Sequence, residues 1–268
     1  MNFNFQKKLS AIQWTDITHN FWYGCHKISE GCKFCYMYRD FIANGSNPRD
    51  VKLIRSERFF EPYYITEPRY IFTCSYSDFF IENADDWRDD AWSVIKSTPQ
   101  HTWQILTKRP ERIMDHLPED WGDGYPNVWL GVSVENMANM HRLQTLKQVP
   151  AALRFISAEP LLEYINFLSM ENVAEVHSAF KWMILGGESG NEIGDYTYRP
   201  SSVEWYSKIV TDIHSNTDMA LFVKQMGTHL AKQGVGSIVD SMGVPFDKKG
   251  GDIRFFPDEL KIRQMPLF

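Results

Sequence analysis

Three of the four cysteines of this chain lie close together in one short segment. Cys25, Cys32 and Cys35 fall within a single loop, whereas Cys74 lies far away in an apolar stretch. Cysteine thiolates bind zinc and iron-sulfur clusters. A structural zinc site usually takes four protein ligands in two pairs. Here the pair of Cys32 and Cys35 has Cys25 nearby and no second pair.

An incomplete ligand set suits an iron-sulfur cluster, because three thiolates leave one iron of a four-iron cluster without a protein ligand. A substrate or cofactor can bind at that open position. S-adenosylmethionine can chelate such an iron through its amino and carboxylate groups and be cleaved to a radical, with the cofactor carrying the difficult chemistry. The spacing therefore favours a 4Fe-4S cluster over zinc. A zinc site that recruits His26 stays open as an alternative, although His26 is awkwardly adjacent to Cys25.

The composition predicts one large domain. With 268 residues and 43% hydrophobic content, the chain is long enough for a single α/β barrel. We expect one domain over residues 1–268, with a core at about 11–226 and an irregular C-terminal extension over 227–268. The formal net charge of -6 argues against coating nucleic acid through a basic surface. Nucleic acid remains a candidate partner, but through a local site and not through a basic surface.

The cysteine usage and the N-terminal segment predict a cytoplasmic location. Met1–Ser10 lacks the apolar run of a secretory signal, and no transmembrane stretch follows, so no membrane partner is expected. Four cysteines that do not form a disulfide framework indicate a reducing compartment in which thiolates are available for metal.

Apolar, β-prone runs alternate with helical stretches along the chain, which indicates a parallel sheet covered by crossover helices. The first predicted strand, Trp14–Gly24, ends where the cysteine loop begins. About seven strands favour a partial (β/α) TIM-like barrel over an open, doubly wound sheet. The later predicted strands are Tyr70–Asp78, Thr102–Arg109, Val128–Glu135, Leu153–Glu159, Trp182–Glu188 and Ala220–Gln225, and the predicted helices cover 36–43, 86–97, 137–146 and 203–213.

Charged residues stand directly after these apolar runs. The carboxyl ends of parallel strands meet at one edge of a sheet, where chemistry is usually built. We therefore expect these charged residues to lie close to the cysteines at the carboxyl-end opening of the barrel, which is called the mouth here. The predicted catalytic residues are Lys108, Glu135, Glu159, Glu188 and Lys224; the predicted cofactor-binding residues are Tyr36, Ser75, Ser77, Asp78, Ser133, Gly186 and Gly187; and the predicted metal ligands are Cys25, Cys32 and Cys35.

An ordered set of motifs resembles the phage-associated three-Cys-motif family, a domain of unknown function that looks like a divergent relative of the radical S-adenosylmethionine enzymes. The resemblance implies a partial barrel with the cluster loop after the first strand. Phe34, the aromatic residue before the last cysteine, is similar to the superfamily pattern, but Cys25 and Cys32 enclose six residues, more than in its commonest motif. The motifs include Gln13–Asp16, Gly31–Tyr36, Ser75–Asp78, Leu106–Pro110, Trp129–Glu135, Arg154–Leu162, Gly186–Gly190 and Val223–Gln225.

The hypothesis from the sequence is a radical S-adenosylmethionine-type enzyme that carries a 4Fe-4S cluster and acts on a small molecule, a nucleotide or a modified nucleic-acid base, with room for a protein partner. An alternative is a zinc-stabilised, non-catalytic binding or accessory protein with the same barrel. A third hypothesis is hydrolysis by Glu135 and Glu159, which leaves the cysteines unexplained.

Overall fold

A computed structural model of the chain describes residues 9–169, 173–190, 192 and 194–267. Most of Met1–Ser10, for which no secretory signal is expected, lies outside the described residues. The strands are β1 (Ile17–Thr18), β2 (Trp22–Tyr23), β3 (Lys52–Leu53), β4 (Tyr70–Thr73), β5 (Thr102–Thr107), β6 (Val128–Ser133), β7 (Leu153–Ala158), β8 (Trp182–Gly186) and β9 (Ala220–Gln225). The α-helices are α1 (Tyr36–Ala43), α2 (Ser56–Phe59), α3 (Asp85–Lys96), α4 (His141–Lys147), α5 (Val173–Ala179), α6 (Val203–Asn216) and α7 (Thr228–Ala231).

Short 3-10 helices occupy several connections between these elements. They are Glu30–Cys32, Glu61–Tyr64, Glu82–Ala84, Pro110–Arg112, Met114–His116, Met137–Asn139, Phe167–Ser169, Ile253–Phe255 and Asp258–Leu260. Among the described residues, none of the helices is long and apolar enough to cross a bilayer.

Seven of the described strands form one parallel sheet in the order β1-β4-β5-β6-β7-β8-β9. Each crossover therefore moves one step in the same direction across the sheet. Because crossovers between parallel strands are right-handed, the connecting helices collect on one face, and the sheet curls around its other face into a half-barrel. The predicted α/β fold with a partial (β/α) barrel is confirmed.

Alternating strand residues separate two hydrophobic clusters, one on each face of the sheet. The outer cluster packs under the helices and contains Trp103, Leu130 and Ile156. The inner cluster fills the amino-terminal part of the concave face with aromatic rings. Its members are Trp14, Phe72, Trp129, Leu153, Phe155, Trp182, Ile184 and Phe222. Burying each large side chain contributes roughly 1.5–3 kcal/mol to the free energy of folding. The inner cluster therefore stabilises the half-barrel and closes the amino-terminal part of its concave face.

The first predicted strand, Trp14–Gly24, is wrong as a single element. The chain pairs with β4 only at β1, and β2 pairs antiparallel with β3 in a separate two-stranded sheet. The side chain of Asn20 explains the break, since its Oδ1 accepts the backbone N–H of Tyr76 at 2.7 Å. This contact draws the chain out of the sheet before the cysteine loop.

The later strands match their predicted starts, but most end earlier than predicted. β4 ends at Thr73, not Asp78, because Ser77 turns back and its hydroxyl donates to the carbonyl of Gly24 at 2.5 Å. The predicted helix over 137–146 is shorter, because a 3-10 helix over Met137–Asn139 precedes α4.

The C-terminal segment covers the edge of the sheet at β9, as the predicted cover implied. The backbone N–H of Val223 donates to the carbonyl of Ile262 at 2.8 Å, and that of Gln264 donates to Leu221 at 2.8 Å. These bonds pair an edge strand that would otherwise expose its donors and acceptors.

Candidate active site

The cysteine loop follows β2, after the chain has left the seven-stranded sheet at the carboxyl end of β1. Gly24 starts the loop with a φ of 93°, a left-handed conformation that favours glycine, and a Cβ there would come within 2.5 Å of the carbonyl oxygen of Asp50. Cys32 ends the 3-10 helix that begins at Glu30, and Cys35 directly precedes α1. The local turns thus hold the cysteines at the mouth of the half-barrel.

The three thiols lie near enough to influence one another electrostatically. Burial raises the pKa of Cys25, and negative charge at Asp78, Cys32 and Cys35 adds to the effect while Arg109 opposes it, so that the pKa reaches about 12. All three cysteines are partly exposed. The three cysteines therefore lie in one neighbourhood, where each is partly open to solvent.

Helix α1 and a lysine offset the burial of Cys35. Burial raises the pKa of this thiol, whereas the backbone N–H groups of Met37 and Tyr38 and the positive charge of Lys108 lower it. Amides at a helix N-terminus favour thiolates in this way. The environment of Cys35 therefore contains groups that would stabilise a bound, deprotonated sulfur.

Arg109 supplies a second cation beside the thiols and is 3% exposed. Its Nη2 donates to the carbonyl of His26 at 3.0 Å, and its Nη1 lies 3.2 Å from Asp78 Oδ2. Burial would lower the pKa of Arg109, but the charges of Asp78 and Cys25 outweigh it and raise the pKa. The guanidinium thus stays charged next to Cys25.

Glu135 connects the end of β6 to the cysteine loop. This fully buried carboxylate accepts the hydroxyl of Ser29 at 2.7 Å, lies 3.0 Å from Lys108 Nζ and accepts Arg142 Nη1 at 2.7 Å. Burial would raise the pKa of Glu135, but the positive charges of Lys108 and Arg142 hold it below its usual range. Gly31 permits the contact, because a Cβ there would lie 2.5 Å from the carboxylate.

Glu159 and Lys224 form a second ion pair on the concave face. Lys224 Nζ donates to Glu159 Oε1 at 2.8 Å, and the two side chains are 19% and 15% exposed. Gly186 makes room for the carboxylate, since a Cβ there would collide with Oε1. Ser133 and Ser157, both buried, pair across β6 and β7 on the face that carries Trp129 and Phe155.

Tyr36 lies between the cysteine loop and the second ion pair. Its hydroxyl donates to the carbonyl of Ser75, while its ring is 40% exposed. Burial raises the pKa of the hydroxyl, and negative charge at Cys35 and Glu159 adds to the effect. Tyr36 therefore presents a ring to the mouth and keeps its proton.

Asp78 is buried with both carboxylate oxygens engaged. Oδ1 accepts the hydroxyl of Thr107 at 2.7 Å and the N–H of Phe80 at 2.9 Å, and Oδ2 accepts the N–H of Lys108 at 2.9 Å beside Arg109. Its predicted cofactor-binding role stays a prediction. The contacts in the structure make it a support for Arg109.

The remaining predicted residues bind other parts of the protein. Ser75 accepts a hydrogen bond from Asn20 at 3.1 Å, and Ser77 binds the start of the cysteine loop. Gly187 lies where a Cβ would collide with the carbonyl of Met226. Glu188 binds Arg199 through both carboxylate oxygens. Glu188 is thus engaged by Arg199, whereas Glu135 is engaged by Lys108 and Arg142.

Several residues at the mouth were not among the predicted site residues. Arg109 and Arg142 bind buried carboxylates, and Arg199 reaches the loop from the connection after β8. Lys249 comes from the C-terminal cover; burial and the charge of Lys224 lower its pKa, while Glu159 opposes this. Arg109 follows a predicted strand. Arg142, Arg199 and Lys249 lie outside the predicted strands, so the strand pattern does not place them at the mouth.

Three cysteine thiols, with Lys108 near Cys35 and Arg109 near Cys25, form a donor set whose chemistry fits an iron-sulfur cluster. As the side chains stand, no group of three His, Cys, Asp or Glu residues within the described ranges could hold a single metal ion.

Residues 9–254 match the family described as "Protein of unknown function (DUF5131)", and the chain belongs to that family. No curated protein matches the sequence. Among solved structures, the chain is similar to spore photoproduct lyase complexed with dinucleoside spore photoproduct, with 15% identity and a TM-score of 0.43. The likeness covers 62% of this chain and 54% of that one, little more than half of its length. The resemblance to the phage-associated family stays a prediction.

Proposed function

We propose that the chain is an iron-sulfur enzyme of the radical S-adenosylmethionine type that acts on a nucleotide or a modified nucleic-acid base. The observation that carries the proposal is the placement of Cys25, Cys32 and Cys35. They lie in one loop that comes after β1 of a parallel half-barrel, with Lys108 near Cys35 and Arg109 near Cys25.

The cysteines would hold the cluster and leave one iron without a protein ligand. A bound cluster supplies chelation of S-adenosylmethionine and its reductive cleavage. The thiols must lose their protons on binding, and Lys108 and Arg109 offset the negative charge that results. Glu135 keeps Lys108 charged and anchors the loop through Ser29.

The concave face supplies the remaining contacts for a cofactor and a substrate. The small residues Ser133, Ser157 and Gly186 line this face at the carboxyl ends of their strands, and the ion pair of Glu159 with Lys224 would offer a polar wall beside them. We therefore assign contacts with the cofactor or the substrate to Glu159 and Lys224. Excluding water from such a face strengthens the interactions made there.

The substrate class is supported by the phage association of the family that the motifs resemble. The chemistry of the mouth is compatible with it. The exposed ring of Tyr36 offers a stacking surface for a base, and Lys224 and Lys249 offer cations for a phosphate group.

The proposal is tested by anaerobic reconstitution with iron and sulfide, followed by metal analysis and absorption spectroscopy. We expect roughly four iron atoms per chain and a thiolate-to-iron absorption band, both lost in Cys32→Ser and Cys35→Ser. Cys74→Ala is the matched control, because Cys74 is outside the cysteine loop and is buried in the hydrophobic core, and it should retain the cluster. A colourless protein that holds stoichiometric zinc would instead support the zinc-stabilised binding protein.

Turnover is tested separately from cluster binding. The reduced, reconstituted protein is incubated with S-adenosylmethionine, and 5′-deoxyadenosine is measured by chromatography. Formation of the product in the parent chain and its loss in Cys35→Ser would support the enzyme. A cluster-loaded protein that forms no product under strongly reducing conditions would argue for a non-catalytic role.

A further inference from the structure

A short segment after β8 lies against the cysteine loop. This segment, residues 195–199, is called the strap here, and it carries Tyr196 and Arg199. It contacts the loop at two separate places. The cysteine loop is therefore contacted by another segment of the same chain, which the sequence motifs around the cysteines do not predict.

Arg199 anchors the strap to the end of β8. Its backbone N–H and its Nε each donate to Glu188 Oε2 at 2.8 Å, and its Nη2 donates to Oε1. Glu188 is 6% exposed and the Arg199 side chain 23%. Two-pronged, charge-assisted bonds of this kind are among the stronger hydrogen bonds in proteins, so the guanidinium is held in one orientation.

The same guanidinium contacts the cysteine loop. It lies 5.4 Å from the ring centroid of Phe34, the residue before Cys35, and its Nη1 lies 3.5 Å from Glu30 Oε2. A cation over an aromatic face is attracted by the ring. Arg199 therefore connects β8 to both sides of Cys32.

Tyr196 gives a second, independent contact. Lys27 Nζ lies 5.8 Å from its ring centroid and 4.6 Å from that of Tyr38. Burial raises the pKa of Tyr196, and negative charge at Cys35 adds to the effect. The strap thus contacts the loop near Lys27 as well as at Phe34.

We propose that the strap holds and shields the part of the cysteine loop that carries Cys32 and Cys35, with Arg199 as its positioning residue. Glu188, whose two carboxylate oxygens are engaged, acts through Arg199 and not on a substrate. The inference rests on the proposed function in taking these cysteines as cluster ligands, but the contacts belong to the metal-free chain and are tested there.

The test measures how fast each thiol of the reduced, metal-free protein reacts with iodoacetamide, by mass spectrometry of the peptides. In Arg199→Gln we expect Cys32 and Cys35 to react roughly 5- to 30-fold faster, because loss of one anchor shifts a local opening equilibrium by about that factor. Cys25, which is held beside Arg109, and buried Cys74 should keep their rates. These two thiols are internal controls for the fold.

Two further variants sharpen the test. Arg199→Lys keeps the charge but loses the two-pronged bond, so its rates should fall between those of the parent chain and Arg199→Gln. Arg254→Gln removes an exposed arginine whose guanidinium binds Asp252 and lies over Phe255, and it should leave the reaction rate of every thiol unchanged. After reconstitution, Arg199→Gln should also lose iron faster in air than the parent chain.

Two results would overturn the inference: unchanged rates at Cys32 and Cys35 in Arg199→Gln, or an equal rise at all four cysteines, which would show general destabilisation. Failure of the parent chain to bind iron would count against the proposed function only, since the alkylation rates are measured without metal.

Discussion

A Cβ atom at Gly31 would lie 2.5 Å from Cγ and Oε1 of Glu135. The backbone of the cysteine loop therefore rests directly on a carboxylate at the end of β6. Ser29 strengthens the contact with a 2.7 Å hydrogen bond to the same oxygen. The position of the cysteines depends on a residue that lies about a hundred positions further along the chain.

Gly31→Ala should displace the loop or Glu135. We expect a loss of about 1–3 kcal/mol in the free energy of unfolding, the usual cost of overpacking, together with lower iron uptake on reconstitution. Denaturant unfolding and iron analysis measure the two effects. Ile28→Ala, at an exposed position of the same loop, is the control. Normal stability and iron uptake in Gly31→Ala would contradict the contact.

Glu135→Gln should destabilise the protein at neutral pH. Removing the charge leaves Lys108 and Arg142 without their buried partner, and breaking such a pair costs about 3–5 kcal/mol. Thermal unfolding of the metal-free protein measures the loss. Glu119→Gln, at an exposed position, should leave the melting temperature unchanged.

The pH dependence of this difference provides a separate check. The pKa of Glu135 is lowered in the folded protein, so its stabilising contribution is present above its unfolded pKa, about 4.3. The contribution is lost as the pH falls through the lower, folded pKa. The melting-temperature gap between the parent chain and Glu135→Gln should therefore shrink below about pH 4. A gap that stays constant would show that the charge of Glu135 does not stabilise the fold.

Lys224→Gln should impair activity more than stability. Because the pair with Glu159 is partly exposed, its loss should change the free energy of unfolding by less than about 1 kcal/mol. Misplacing Glu159 should lower 5′-deoxyadenosine formation roughly 10- to 100-fold. Lys261→Gln, which removes a surface lysine bound to Asp258, is the control. Full activity in Lys224→Gln would exclude a role for this pair in the reaction.

Asp78→Asn should disturb the fold around Arg109. The carboxylate is buried and binds Thr107, the backbone of Lys108 and the Arg109 guanidinium, so we expect a loss of about 3 kcal/mol. The Cys25 thiol of the metal-free protein should then react faster with iodoacetamide. A stable variant with an unchanged Cys25 rate, but weaker binding of S-adenosylmethionine, would restore Asp78 as a cofactor ligand.

The sequence predicts the sheet well because its strands are buried on both faces. Apolar runs such as Val128–Glu135 and Ala220–Gln225 are continuous, and each contains the observed strand, β6 or β9. The first strand was harder to predict, because Trp14–Gly24 is rich in β-prone residues although only two residues of it pair with β4. The break depends on Asn20, whose partner at Tyr76 is distant in sequence.

Because Lys108 and Glu135 follow parallel strands, the sequence predicts that both lie at the carboxyl edge of the sheet. It does not predict which residues bind one another. Glu135 is shared between Lys108 and Arg142, the latter on α4, and Glu188 binds Arg199 on a loop. Such pairs form through tertiary packing and have no fixed spacing in the sequence. The strap was therefore not predictable from the motifs.

The central claim, an open iron that binds S-adenosylmethionine, is tested most directly by electron paramagnetic resonance of the reduced, reconstituted protein. We expect the parent chain to give a cluster resonance that shifts when S-adenosylmethionine is added, and Cys35→Ser to give no such resonance. A cluster signal that S-adenosylmethionine leaves unchanged, or the absence of any iron signal in protein that binds zinc, would contradict it.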